Sequence, residues 1–451
     1  MLHQMKHEHR GGLLCALIVP VGFVASCLLP VDADALPVFA RKYRTACTTC
    51  HSLIPKLNQF GLAFRNNGYR VPVNDEKFIK EAPVELGAEP WKEMWPGKGV
   101  WPGSIPSNIP IALRGVADTN IRGAGQQVRL NFDFPNEFAI YTVGTLGESL
   151  SFLGEVEFKG GGGPPPGGSE RIELSMLQLN FNKLGGTSLL NFRIGRFEPV
   201  ATPFSRFYRR TTSADFNVSE LQPVAGDARF VNRQMGLEFF GARTGPDNRG
   251  GIEWGVGMVN GTGTSPDNNS QKDLEWTVSY KLFGYGVTGP LREEPEELKA
   301  TDNFVDNSLK IGVFGWVGRG TVETFKNNYN RVGVKFDAFF HRLNLYGAYI
   351  RARDTVRRVP ERELESSAWF LEADYMLTPW IMPLIRYERT EITEIGAAPA
   401  PTRRLLVPAV NFALRANVRV LVEGRVYQRD ESFPPEKKPL NEGRVRVDFV
   451  F

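Results

Sequence analysis

Arg331-Val332-Gly333-Val334-Lys335-Phe336-Asp337-Ala338-Phe339 alternates apolar residues with polar or small ones. A period of two sends successive side chains to opposite faces of an extended strand. Val332, Val334 and Phe336 share one face; Arg331, Lys335 and Asp337 share the other. Most of Val418-Arg419-Val420-Leu421-Val422-Glu423-Gly424-Arg425-Val426 repeats the pattern. The chain stops at Arg444-Val445-Arg446-Val447-Asp448-Phe449-Val450-Phe451, with an aromatic as its last residue. A face of valines and phenylalanines backed by a face of charges suits a wall with lipid on one side and water on the other.

Working outward, similar segments occur near 111–118, 136–146, 149–159, 188–197, 232–241, 250–261, 272–283, 307–319, 342–353, 366–377, 380–390 and 403–415. In Ile172, Leu174 and Met176 the apolar phase is even, and at Leu177, Leu179 and Phe181 it is odd, which predicts a β-bulge. Together these give about sixteen strands, the even number that closure of bacterial outer-membrane barrels requires. Phe340-His341-Arg342, Leu377-Thr378-Pro379 and Arg415-Ala416 read as tight turns between longer polar loops near 354–365, 391–402 and 429–441. Gly160 to Gly168, glycines and prolines only, reads as one flexible outer loop. Alternating short and long connections mark periplasmic turns and outer loops, although 284–306 is too long for a periplasmic turn and is either an insertion or a slip in the strand count. The fold expected is therefore mainly β: a 16-stranded antiparallel outer-membrane β-barrel rather than a soluble sandwich. Arg331, Lys335, Asp337, Arg419, Glu423 and Arg425 are expected on its lumen face, as ordinary polar wall.

Composition agrees. A formal charge of +4 gives no case for nucleic acid binding. No run of about twenty apolar residues follows the first segment, so no membrane helix is expected there. The first segment itself has Lys6 and Arg10, then the apolar run from Leu13 to Val24, then Ala33 and Ala35 before Leu36. That is the pattern of a secretory signal peptide covering 1–35. Pro20, Gly22 and the A-x-A ending argue against a transmembrane anchor, and Val24-Ala25-Ser26-Cys27 is a weaker, lipoprotein-like alternative.

Cleavage there removes Cys15 and Cys27 and leaves Cys47 and Cys50 within Ala46-Cys47-Thr48-Thr49-Cys50-His51. Two cysteines separated by two residues and followed by histidine read as a c-type haem attachment site. Each thiol adds to one vinyl group of the porphyrin, and His51 supplies the proximal iron ligand. A zinc site would need further ligands, and a thioredoxin-like site a βαβ context, which is missing here. Leu53, Leu57, Phe60 and Phe64 recur at helical spacing, and Asn66-Asn67-Gly68 supplies a stop. The reading is a small α-helical haem domain or plug over 36–108, with the barrel over 109–451. The distal iron ligand is expected from Met94, in a loop rich in Trp91, Trp95 and Trp101, or from His341, the other histidine that cleavage leaves. The segment around Met94 is expected to help plug the lumen.

Phe39-Ala40-Arg41-Lys42-Tyr43, Cys47 to His51, Pro55-Lys56-Leu57-Asn58-Gln59-Phe60-Gly61 and Phe64-Arg65-Asn66-Asn67-Gly68-Tyr69 resemble the fused monohaem cytochrome–porins of the outer membrane, best known from iron-oxidising bacteria. The resemblance is close over about 37–70 and one of layout over the barrel. It implies one covalent haem c at Cys47 and Cys50, ligated by His51. It also implies oxidation of extracellular Fe(II), a periplasmic c-type cytochrome as electron acceptor, and hence an iron(II):cytochrome c oxidoreductase. No iron-binding motif carries over. Two other functions fit the same sequence: a conduit carrying electrons to external acceptors, and a porin whose haem segment is structural.

Overall fold

A computed structural model of the chain describes residues 38–85, 89–97, 104–107, 109–124, 127–147, 149–159, 171–224, 229–289, 306–322, 325–357, 360–395, 402–428 and 440–451. The expected signal peptide, the Gly160–Gly168 loop and Trp101 lie outside these residues.

Sixteen strands close into one antiparallel barrel. They are β1 (Ile111–Ala124), β2 (Gln127–Leu146), β3 (Leu150–Lys159), β4 (Arg171–Phe181), β5 (Asn191–Phe197), β6 (Gln234–Arg243), β7 (Arg249–Val259) and β8 (Asp273–Tyr285), followed by β9 (Asp306–Val322), β10 (Phe325–His341), β11 (Leu343–Arg357), β12 (Arg362–Tyr375), β13 (Ile381–Glu394), β14 (Arg403–Arg415), β15 (Val418–Gln428) and β16 (Glu442–Val450). Each strand pairs with its neighbours in sequence, and β16 pairs with β1, Glu442 facing Arg122 and Val450 facing Arg114. Every expected strand is present. Most run further than their apolar alternation, because ladder hydrogen bonds continue past the apolar band into polar ends.

The two faces divide as the alternation requires. Val332, Val334, Ile311, Val317, Val422 and Ile385 point outward and are about half exposed. A contiguous apolar band of this kind would be unfavourable against water and is stable against lipid. The inner face carries buried ion pairs: Arg331 with Asp354 at 3.0 Å, Arg419 with Asp448 at 2.9 Å and Arg446 with Asp118 at 2.6 Å. Arg425 pairs with Glu423 at 2.8 Å, and Lys335 donates to Thr277 at 3.1 Å. The chain is an outer-membrane β-barrel.

The lumen is filled from two directions. Residues 38–80 enter at the end where β1 begins and β16 finishes, and carry the short helices α1 (Val38–Tyr43), α2 (Gln59–Asn66) and α3 (Asp75–Phe78). Arg41 bonds the Ile111 carbonyl at the start of β1, and Leu53 packs with Met382, Leu384 and Leu421 of the wall. Lys56 is buried against Asp374 and donates to Asn344 at 2.9 Å. Pro37–Phe451 is one compact unit, so this segment packs as part of the barrel.

The second filling comes from the connection between β5 and β6, whose described residues 198–224 and 229–233 turn inward and carry the one-turn helix α5 (Asn217–Glu220), α4 (Glu89–Met94) preceding it in chain order. It is held by wall carboxylates: Glu238 and Glu275 accept from Val200 and Ala201 at 2.7 and 3.0 Å, and Glu423 accepts from Ser213 N–H at 2.7 Å. Phe216 stacks on Phe370 at 4.5 Å.

One expectation changes, and one open alternative is decided. The stretch around Met94 does not plug the lumen: Met94 closes α4 and is 66% exposed, with Trp95 54% exposed. Among the described residues, 38–80, part of the expected plug, and 198–224 with 229–233 fill the lumen and supply the apolar and hydrogen-bonding surface that the inner wall needs. The strand count does not slip at 284–306. Its described part folds back on the plug, with Val287 N–H bonding the Gly250 carbonyl at 2.9 Å and the Thr288 carbonyl accepting from Asn67 at 2.8 Å.

Candidate functional site

The turn Cys47–Thr49 is a single 3₁₀ turn closed by Cys50 N–H to the Cys47 carbonyl at 3.2 Å. One residue locks it to the helix behind it. Asn58 caps α2 by accepting from Gly61 N–H at 2.9 Å, and its amide donates to the Thr48 and Thr49 carbonyls at 3.1 and 3.0 Å. The Asn58 backbone N–H bonds the Cys50 carbonyl at 2.9 Å. α2 therefore lies against the cysteine turn, and Gly61 is what permits it: a Cβ there would come within 2.2 Å of the Cys50 carbonyl oxygen.

Cys47 and Cys50 are free thiols. Burial pushes both up from the ordinary thiol value, Cys50 to about 12, so neither is a poised thiolate of the redox type. His51 follows in a short ladder with Lys56–Leu57. Its Nδ1 lies 3.3 Å from the Pro55 carbonyl, which can only accept, so Nδ1 carries the proton and Nε2 keeps its lone pair. Burial lowers its pKa to about 4, which keeps the imidazole neutral.

These three residues open on a cavity of about 340 Å³ inside the barrel. That is within the range of about 300–1,000 Å³ usual for cofactor and ligand sites. The plug lines it with Phe39, Leu57, Phe60, Phe64 and Tyr69, the wall with Val143, Leu153, Met176 and Val450, and the inward connection with Phe207 and Tyr208. Phe39 and Tyr43 both meet Phe64 edge-on, at 5.0 and 5.8 Å between ring centres. Tyr43 is tied back by Asp75, which accepts its hydroxyl and the Val71 N–H, both at 2.7 Å.

The charge lining the cavity is mostly of one sign. Among the described lining residues are six arginines, Arg65, Arg114, Arg193, Arg206, Arg210 and Arg419, and a single carboxylate, Glu198, already bonded to Ser205 and to Arg206 N–H. Arg114 and Arg419 share Asp448, Arg193 pairs with Glu238 and Arg210 with Asp215. Arg65 lies 4.3 Å over the Tyr208 ring. Two thiols and a neutral imidazole on one rim, aromatic and aliphatic walls and surplus guanidinium groups fit a flat apolar ligand bearing carboxylates and a metal. A porphyrin with two propionates is such a ligand, so the residues present fit haem c. Nearby, Glu137, Glu155 and Glu157 converge, but Arg114 pairs with the first and Arg233 with the other two.

Of the residues singled out from sequence, the structure brings Cys47, Cys50 and His51 to the cavity and leaves Met94 and His341 outside it. His341 ends β10 at the exposed turn, with φ of +50° and its ring against Phe340. Sequence reasoning missed Met176, Arg206 and Arg210. The signal available was Arg206-Phe207-Tyr208-Arg209-Arg210, an aromatic and basic run in an otherwise unassigned connection.

No protein-family model matches the sequence, and no curated protein matches it. Solved structures do. The anion-selective porin from Comamonas acidovorans is 12% identical, with 76% of this chain and 99% of that chain covered and a TM-score of 0.51. The fold is porin-like. Outer-membrane expressed OmpT of Vibrio cholerae is 12% identical over 77% of this chain and 99% of its own, at a TM-score of 0.48. Salmonella typhi OmpF in complex with daunomycin is 12% identical over 76% of this chain and 97% of its own, at 0.49.

Proposed function

We propose that this barrel carries one haem c, joined to Cys47 and Cys50 and ligated by His51, and moves single electrons across the outer membrane. The observation that carries the reading is the shared opening of both thiols and the neutral imidazole on one arginine-rimmed cavity inside the lumen. When bound, the haem supplies a one-electron Fe(III)/Fe(II) couple, so one external ferrous ion is oxidised for each periplasmic c-type cytochrome reduced. The residues do the rest. Asn58 and Gly61 hold the thiols in one turn; Pro55 fixes the imidazole tautomer; Arg206 and its neighbours offset carboxylate charge. The wall provides passage through an apolar band about 25 Å tall, and the two lumen fillings keep the centre from being a free aqueous pore.

Purified holo-protein mixed with ferrous ion tests this. Haem reduction that then passes to added ferricytochrome c is the expected result. Haem that ferrous ion does not reduce, but a reduced periplasmic cytochrome does, would point to outward conduction instead. A second reading, a porin with a structural haem segment, is favoured by the likeness to the anion-selective porin and by the basic interior. Planar-bilayer recording separates it: large steady anion conductance supports the porin, and its lack supports a filled lumen.

A further inference from the structure

The cavity faces His51 with a side chain that nothing so far has used. We infer that Met176, on β4, is the axial ligand opposite His51. This rests on the haem assignment proposed above, and concerns which of this chain's own atoms completes the site.

Three observations converge on it. The first is placement across the barrel. His51, with Cys47 and Ile54, also lines a small cavity against Pro379, Ala413 and Val418, in and beside the turns after β12 and β14. Met176 belongs to β4; β5 to β11 lie between it and β12 one way round the sheet, and β13 to β3 the other. The imidazole and the thioether thus enter one cavity from opposite walls.

The second is the local backbone. Alternation alone would put Met176 on the same face as Ile172 and Leu174, and those two are 70% and 45% exposed, outward. Instead Glu155 pairs with Met176 while Val156 pairs with Leu174, so Ser175 is an extra residue. The bulge is the one expected from the change of apolar phase, but it comes one residue earlier and turns Met176 inward, to 5% exposure. Bulges that re-aim one side chain are found beside functional sites. Along β4 the next inward side chains are polar, Gln178 donating to Asn180 at 3.2 Å and Asn180 to Ser151 at 3.2 Å, while Leu153 on β3 shares the cavity wall with Met176. A thioether turned toward this cavity by the bulge is of the soft ligand type.

The third is elimination. Among the described lining residues, His51 is the one imidazole and Met176 the one thioether, and no lysine is present. The tyrosines would ligate as phenolates. Tyr43 donates its hydroxyl to Asp75, Tyr141 is bonded to Glu155, Tyr69 stacks on Phe39 at 5.7 Å, and burial pushes Tyr43 and Tyr208 up, away from ionisation; the lining carboxylate Glu198 is already bonded to Ser205 and Arg206 N–H. A methionine opposite a histidine raises the reduction potential of haem, which suits an electron acceptor for ferrous ion.

The test uses detergent-solubilised full-length holo-protein, with Met176→Ala, Met176→His, Met94→Ala and His341→Ala. The readouts are covalent haem by gel staining, the ferric absorption spectrum, the midpoint potential, and binding of added imidazole. Expected are a low-spin wild type with a thioether-to-iron charge-transfer band, loss of that band with a high-spin spectrum and imidazole uptake in Met176→Ala, and a low-spin spectrum with a lowered potential in Met176→His. Met94→Ala and His341→Ala should match the wild type. A band and potential unchanged in Met176→Ala would overturn the inference, and so would a wild type already high-spin and open to imidazole. If Met176→Ala does not assemble, Met176→His decides, by losing or keeping the band. Wild-type protein matured without any covalent haem would instead overturn the haem assignment itself.

Discussion

Asn58→Ala is the sharpest probe of how the cysteine turn is held. The side chain makes one cap bond to Gly61 N–H and two bonds to the Thr48 and Thr49 carbonyls, and is 3% exposed. Loss of an asparagine cap costs about 1 kcal/mol. Each of the two buried carbonyls left without a donor adds about 1 kcal/mol. The local cost is therefore about 3 kcal/mol, or roughly a hundredfold in the equilibrium between closed and opened plug, at 1.4 kcal/mol per factor of ten. Amide hydrogen exchange read by mass spectrometry on the solubilised barrel measures it. Residues 59–66 should lose about two orders of magnitude of protection, with β9 to β12 unchanged. Asn58→Asp keeps the cap acceptor and should recover part of the loss. Unchanged exchange in 59–66, or an equal loss across the barrel strands, would refute the role given to this residue.

Further outcomes follow from the same contacts. Gly61→Ala should abolish covalent haem while leaving a heat-modifiable barrel on gels, because the added Cβ meets the Cys50 carbonyl oxygen at 2.2 Å. Lys56→Met should cost about 3–5 kcal/mol by stranding the buried Asp374 carboxylate, whereas Lys56→Met with Asp374→Leu should be near neutral; protease cleavage within 38–80 reads both. Burial raises the Asp215 carboxyl, but Arg210 and Arg206 outweigh it and hold the group below its ordinary value. Its contribution to the inward connection is thus full above about pH 4 and lost as pH falls through the folded value, and Asp215→Asn should flatten that acid limb in tryptophan and tyrosine fluorescence.

The wall was legible because its determinants are local. A strand between lipid and water alternates at every step, so Arg331–Phe339 reveals its two faces without reference to any partner. The CxxCH turn stands out in sequence because its spacing is the one that haem attachment uses, and the structure adds that both thiols and His51 face one cavity. What could not be read depends on residues distant in sequence. Met94 and Met176 look alike in a list of methionines, and only the pairing of β3 with β4 shows which one turns inward. The inward course of 198–224 depends on wall carboxylates such as Glu275 and Glu423, which look like ordinary lumen polarity until Ala201 and Ser213 are found against them.

The seam of the cylinder has a bearing on how the molecule is put together. β1 joins β16 beside the cavity, and Ala112, Arg114, Arg419 and Val450, from the two seam strands and the adjacent β15, form part of its wall. The N-terminal segment is made before any of these strands, and its thiols end up enclosed by the last of them. A rigid ring as broad as a porphyrin cannot slip between hydrogen-bonded strands about 4.8 Å apart. On the haem assignment proposed above, the group would therefore reach Cys47 and Cys50 before the seam zips or through the mouth by which 38–80 enters, never through the finished wall.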